Sequence, residues 1–161
     1  RLKHLTFTDG ADADKLRPKY HEAFKVLVEG ATEMSFYARR MATQVADEAL
    51  RVAMANCHEL VDLDLGKNPD WEKGLEELVK TIETAPCCNT LQALKVTQNV
   101  KFHGDPSHFG RMKRLTKLHC PMAFGLAGDI AGLAALLKDL MVLDLTGCFK
   151  VRGDLADLAP L

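Results

Sequence analysis

The chain has 161 residues, long enough for one domain with a proper hydrophobic core. Its 21 Lys and Arg face 22 Asp and Glu, a net charge of −1 that removes any global electrostatic case for nucleic acid or an anionic membrane. It has no run of the roughly 18 apolar residues that a membrane-spanning helix needs. Residues 1–90 hold 12 of the basic and 16 of the acidic side chains, leaving 9 and 6 in 91–161, so the two halves carry opposite excesses. The five cysteines are odd in number, scattered and without CxxC spacing, which disfavours a disulfide framework or a zinc site. They point to the cytoplasm or another reducing intracellular compartment. Because Arg1 is not an initiator methionine, a trimmed or partial chain is expected, and organelle targeting stays open.

In chain order, one apolar frame recurs with a helix-length or shorter segment after each copy. Leu2, Leu5, Phe7 and Gly10 open it. "KYHEAFKVLVEG" follows and sets Tyr20, Ala23, Phe24 and Leu27 on one face of a helix. Ala31, Met34, Phe36 and Arg39 form the second copy, followed by "VADEALRVAMANC" with Ala46, Ala49, Leu50 and Ala53 on a helical face. Leu60, Leu63, Leu65 and Asn68 form the third; in "LVDLDLGKN" the leucines alternate with Asp62, Asp64 and Gly66, as in a strand with one buried and one wet face. The next segment, "WEKGLEELVKTIETAP", places Leu75, Leu78, Val79 and Ile82 at i, i+3, i+4 and i+7 of an amphipathic helix. Later copies are Leu91, Leu94, Val96 and Asn99; Leu115, Leu118, Cys120 and Ala123; and Leu140, Leu143, Leu145 and Cys148. First positions are separated by 29, 29, 31, 24 and 25 residues.

The last three copies share a second feature. Counted from Asn99, Ala123 and Cys148, each has an apolar residue three positions on, at Phe102, Leu126 and Val151. Gly104-Asp105, Gly128-Asp129 and Gly153-Asp154 follow at five and six. The glycine is expected to take a backbone conformation closed to other residues. The aspartate is expected to cap the short helix or turn behind it rather than to bind metal.

The frame resembles the leucine-rich repeat family, whose signature is L-x-x-L-x-L-x-x-N/C-x-L, over essentially the whole chain. The long early repeats look like the ribonuclease-inhibitor and cysteine-containing subclasses, "NCHELVDLDL" with Cys57 most of all. The resemblance implies an α/β solenoid of about six repeats, a curved horseshoe with a parallel sheet on its concave face and helices and short turns on its convex face. It implies one domain over 1–161, long helix-containing repeats to residue 90 and shorter Gly-Asp repeats from 91. Leu161 falls inside a convex segment and neither end has an obvious polar cap, so the domain is expected to be a fragment of a longer array.

On such a sheet the non-leucine strand positions form columns. One runs His4, Glu33, Asp62, Ala93, Lys117, Val142; a second Thr6, Ser35, Asp64, Lys95, His119, Asp144; a third Thr8, Tyr37, Gly66, Thr97, Pro121, Thr146. Acids gather at Glu33, Asp62 and Asp64, cations at Lys95, Lys117 and His119, so the face reads as bipolar. Glu33, Tyr37, Asp62, Asp64, Lys95, Lys117, His119 and Asp144 are the candidate partner-binding residues, with Tyr37 the aromatic anchor.

Arg111, Lys113, Arg114 and Lys117 make a basic cluster expected to be solvated surface, because no aromatics interleave it for nucleic acid. His103 and His108 lack a third ligand. Cys120 and Cys148 are expected as small buried hydrophobes, and Cys87-Cys88 as the most exposed thiol pair. P-loop, GxSxG, HExxH and GxGxxG patterns are absent. The expectation is therefore a non-enzymatic module without cofactor or metal. It would recognise a protein partner on the concave face, without nucleic-acid binding or membrane insertion. The alternative is an architectural peripheral subunit embedded in a larger multi-protein assembly.

Overall fold

Short alternating segments with one apolar face persist only when neighbours complete their hydrogen bonds and cover their leucines. A computed structural model provides the structure, which describes residues 3–8, 21–37, 43–69, 71–134, 138–154 and 156. Its strands are β1 His4–Thr8, β2 Glu33–Tyr37, β3 Asp62–Asp64, β4 Ala93–Lys95, β5 His103–Gly104, β6 Lys117–His119, β7 Gly125–Asp129, β8 Val142–Asp144 and β9 Lys150–Arg152. Helices α1 His21–Val28, α2 Thr43–Asn56, α3 Leu75–Glu83 and α4 Ala131–Ala134 lie between them, with 3-10 turns at Pro86–Asn89 and Pro106–Arg111. The fold is α/β, with six strands in one parallel sheet ordered β1-β2-β3-β4-β6-β8.

The register stacks like positions of the frame. Met34, Leu63, Leu94, Leu118 and Leu143 pair in turn across five strands, and Leu5 pairs with Met34. All are buried except Leu143, which is partly covered on β8. Phe7 and Phe36, also in register, stack with ring centres 5.0 Å apart. Beyond the strands the ladder continues through backbone bonds. Leu65 N–H donates to Lys95 O, Val96 N–H to His119 O and Cys120 N–H to Asp144 O, each at 2.7 Å.

The turn after each of these strands uses one device. Lys67, Gln98 and Met122 hold φ near 60°, and Gly147 holds 78°. That left-handed conformation aims the Lys67, Gln98 and Met122 N–H groups at Thr97 O (2.7 Å), Pro121 O (2.9 Å) and Thr146 O (2.7 Å). One residue on, Asn68 and Asn99 are buried and bridge adjacent turns. Asn99 Oδ1 accepts from Asn68 N–H at 2.7 Å, and Asn99 Nδ2 donates to Leu65 O at 2.7 Å. Asn68 Nδ2 donates to Leu65 O (2.6 Å) and Phe36 O (2.8 Å). At the equivalent place Cys148 donates its thiol to Cys120 O at 3.1 Å.

The segment read as helical over "WEKGLEELVKTIETAP" is α3, and its Leu75, Leu78, Val79 and Ile82 are all buried. Glu76 and Glu77 in its first turn suit the positive helix end, and Pro86 just beyond prevents continuation. Helix α2 buries Ala49, Leu50 and Ala53 as expected, and Val52 and Met54 besides. Leu2, Gly10, Tyr20, Arg39 and Leu161 lie outside the described residues, as do the side chains of Thr8, Ala23, Phe24, Leu27 and Ala46.

The Gly-Asp segments behave as expected and also do something not foreseen. Gly104, Gly128 and Gly153 have φ of 142°, 152° and 134°. A Cβ on Gly104 would come within 2.7 Å of Leu75 Cβ. Asp105, Asp129 and Asp154 accept from the N–H groups of Ser107 (2.9 Å), Ala131 (2.8 Å) and Ala156 (2.9 Å). The residues around each Gly form a second, three-stranded parallel ladder ordered β5-β7-β9. There His103 pairs with Gly125 and Ala127 with Lys150, two positions away from the Gly-Asp alignment. A two-residue offset leaves every side chain on its original face, because strand side chains alternate.

Candidate functional site

Alternation along each strand turns the columns to the face opposite the leucines. The paired residues are those of the sequence columns: His4, Glu33, Asp62, Ala93, Lys117, Val142 and Thr6, Ser35, Asp64, Lys95, His119, Asp144. In the third column Thr8 pairs with Tyr37, and Gly66 lies against Thr97. The eight candidate residues therefore share this one face.

Their charges are mostly answered within the face. The Lys95 ammonium donates to both Asp62 oxygens, at 3.0 and 2.8 Å. Burial works to lower the Lys95 pKa, but the Asp62 hydrogen bond and the charges of Asp62 and Asp64 outweigh it and hold the group above its usual range. The Tyr37 hydroxyl donates to Asp64 Oδ2 at 3.0 Å, while Asp64 Oδ1 accepts from Gly66 N–H at 2.8 Å. Burial, and then the Asp64 carboxylate, push the Tyr37 pKa up against a lowering contribution from Ser35. Lys67 Nζ lies 5.6 Å from the centre of the Tyr37 ring, a cation–π distance.

Toward the ends of the sheet, His4 Nδ1 is 3.0 Å from Glu33 Oε2, and His119 Nδ1 is 3.9 Å from Asp144 Oδ2. Asp144 is held below the usual carboxylate range, chiefly by accepting from Thr146 N–H at 3.0 Å. Lys117 is exposed and has no ion partner among the described residues. The bipolar reading thus takes a specific form. Pairing between Asp62 and Lys95 neutralises the middle, leaving Asp64 on β3 and Lys117 on β6 as the poles, two strand spacings across and two residues along, or roughly 12 Å apart. Such exposed pairs add little stability but set the charge pattern a partner meets.

The other candidates are distributed elsewhere. Lys117 belongs to the sheet face and is separated from Arg111, Lys113 and Arg114, which line a cleft beside α3; the sequence cluster is two surfaces. Of the thiol pair expected to be exposed, Cys87 is buried and only Cys88 is half-accessible. The Cys87 pKa is pushed up to about 12, mainly by burial and then by neighbouring Cys57. Cys57, Cys120 and Cys148 are buried, and Cys57 donates to Ala31 O at 3.4 Å. No group of three or more His, Cys, Asp or Glu among the described residues could hold a metal ion. No helix among them is long and apolar enough to cross a membrane.

One polar network escaped the sequence reading. Lys73, with its side chain only 5% exposed, reaches Asp47 at 3.4 Å and Glu77 at 3.0 Å, and Trp71 Nε1 donates to Asp47 at 2.6 Å. It ties α2 to α3, and Trp71 stacks on Phe102 with ring centres 6.4 Å apart. The signal was the i, i+4 spacing of Lys73 and Glu77, which on an exposed helix would mean nothing special.

A scan of the sequence against protein-family models and a search of curated proteins each return no match. The functional reading therefore rests on the residues themselves.

Proposed function

We propose that the chain is a leucine-rich-repeat solenoid that recognises a protein partner on the concave face of its six-stranded sheet, without catalysis. The observation that carries this reading is the register. It collects Glu33, Tyr37, Asp62, Asp64, Lys95, Lys117, His119 and Asp144 on one face, with Tyr37 and Asp64 locked together and Lys117 left open. The partner that fits presents a cation toward Asp64 and Glu33 and an anion toward Lys117, roughly 12–14 Å apart.

Affinity capture from native extract with mass spectrometry tests this. Lys117→Glu, which breaks no ion pair of the described residues, should lower recovery of the captured partner by about tenfold, and Asp64→Lys should do the same. Glu76→Lys, on the exposed side of α3, should leave recovery unchanged. Equal loss in all three variants, or no loss with Lys117→Glu, would refute recognition by this face.

A second reading, a peripheral subunit of a larger assembly, is favoured by one region. Met141 and Phe149 are 80% and 85% exposed around β8 and β9, where Leu143, Leu145 and Val151 are only partly covered. Under it, Phe149→Ser and Met141→Ser abolish co-purification of neighbours, while the sheet-face variants retain it.

A further inference from the structure

The cleft beside α3 is separate from the sheet face and belongs to a different chemistry. One wall is the C-terminal end of α3 with the Pro86–Asn89 turn; the other is the segment Met112–Arg114. It has a volume of about 510 Å³, within the range of ligand pockets, and Ile82, Leu91 and Met112 close its floor as buried apolar side chains.

Its charge is lopsided. Arg111 forms a two-pronged pair with Glu83, donating through Nε at 2.9 Å and also through Nη2. Lys113 and Arg114 are exposed on the rim with no acidic partner among the described residues. Two cations are left over above an apolar floor, in a chain whose net charge is −1.

We propose that this cleft is a docking groove for a short acidic peptide segment carrying an aliphatic side chain, with carboxylates at Lys113 and Arg114 and the aliphatic group over Ile82, Leu91 and Met112. Charge complementarity selects the occupant. An arginine fork and an ammonium on a rim suit carboxylates, and the floor suits a leucine-like group. A nucleic acid is a poorer match, because no aromatic side chain lines the cleft to stack a base and two cations make a short phosphate track.

The cleft carries its own reporter. Cys88 lines it and is the one cysteine of the five that is not buried. Fluorescence anisotropy of the full chain with fluorescein-labelled Asp-Glu-Leu-Glu-Asp should show saturable binding, and the bound peptide should slow alkylation of Cys88 by iodoacetamide. Lys113→Glu combined with Arg114→Glu should weaken binding by about tenfold, and Lys150→Glu, distant on β9, should not change it. Four results would overturn the proposal: no saturable binding, equal binding of the amide peptide Asn-Gln-Leu-Gln-Asn, equal or tighter binding of hexathymidylate, or unslowed Cys88 alkylation.

Discussion

Replacing Asn99 with alanine probes the buried bridge between turns most directly. Asn99 is fully buried, and its amide both accepts from Asn68 N–H and donates to Leu65 O. Truncation leaves the Asn68 N–H without that acceptor in a dry place, which costs about 1–3 kcal/mol, and loses a net hydrogen bond to Leu65 O worth about 0.5–1.5 kcal/mol. Leu65 O keeps the Asn68 Nδ2 donor, so the second loss stays at the low end. The sum is about 1.5–3.5 kcal/mol. Trp71, the only tryptophan, donates its backbone N–H to Asn68 O at 3.1 Å, so its fluorescence during urea unfolding reports the region directly. Hydrogen exchange of the Asn68 amide should accelerate more than that of amides in α2. A loss below about 0.5 kcal/mol, or unchanged Asn68 protection, would refute the claim that this bridge holds the turns together.

Three further outcomes are expected. Gly104→Ala should destabilise by more than about 1 kcal/mol in the same urea assay, because φ is 142° and the new Cβ would meet Leu75 Cβ at 2.7 Å. Asp105 is held below the usual carboxylate range mainly by Ser107 N–H, so its contribution is present above the unfolded-state pKa and lost as pH falls through the folded one. Asp105→Asn, which keeps an acceptor, should flatten the acid limb of stability against pH. Of the cysteines, Cys88 should be alkylated first near neutral pH, and Cys87 only on unfolding, as peptide mapping would show.

The strand positions were legible because leucine spacing alone specifies register wherever one face is buried: Leu63, Leu94 and Leu118 pair as their spacing implied. Helix α3 was legible for the same reason at a period of 3.6. The second ladder was not, since His103-Gly104 and Lys150–Arg152 are two and three residues long, too short to establish a period, and are paired only because the first sheet brings them together. The sheet-face residues could be placed, but not their pairings. Whether Lys95 turns to Asp62 or to solvent depends on the reach of its side chain and the neighbouring strand, which a column of letters does not contain. Burial of Cys87 and of Lys73 likewise follows from how α2, α3 and the Pro86–Asn89 turn meet.

The order of the six strands in the sheet is also their order along the chain, and every pairing joins partners 24 to 31 residues apart, from Lys117 with Ala93 to Ala93 with Asp62. Closing loops of such similar length costs nearly the same entropy, differing by about 0.2 kcal/mol between the shortest and longest. No segment has to wait for a remote mate to emerge from the ribosome. The sequence of assembly is then decided by local packing quality alone, so zipping should start where Asn68 and Asn99 bridge adjacent turns and spread outward in both directions.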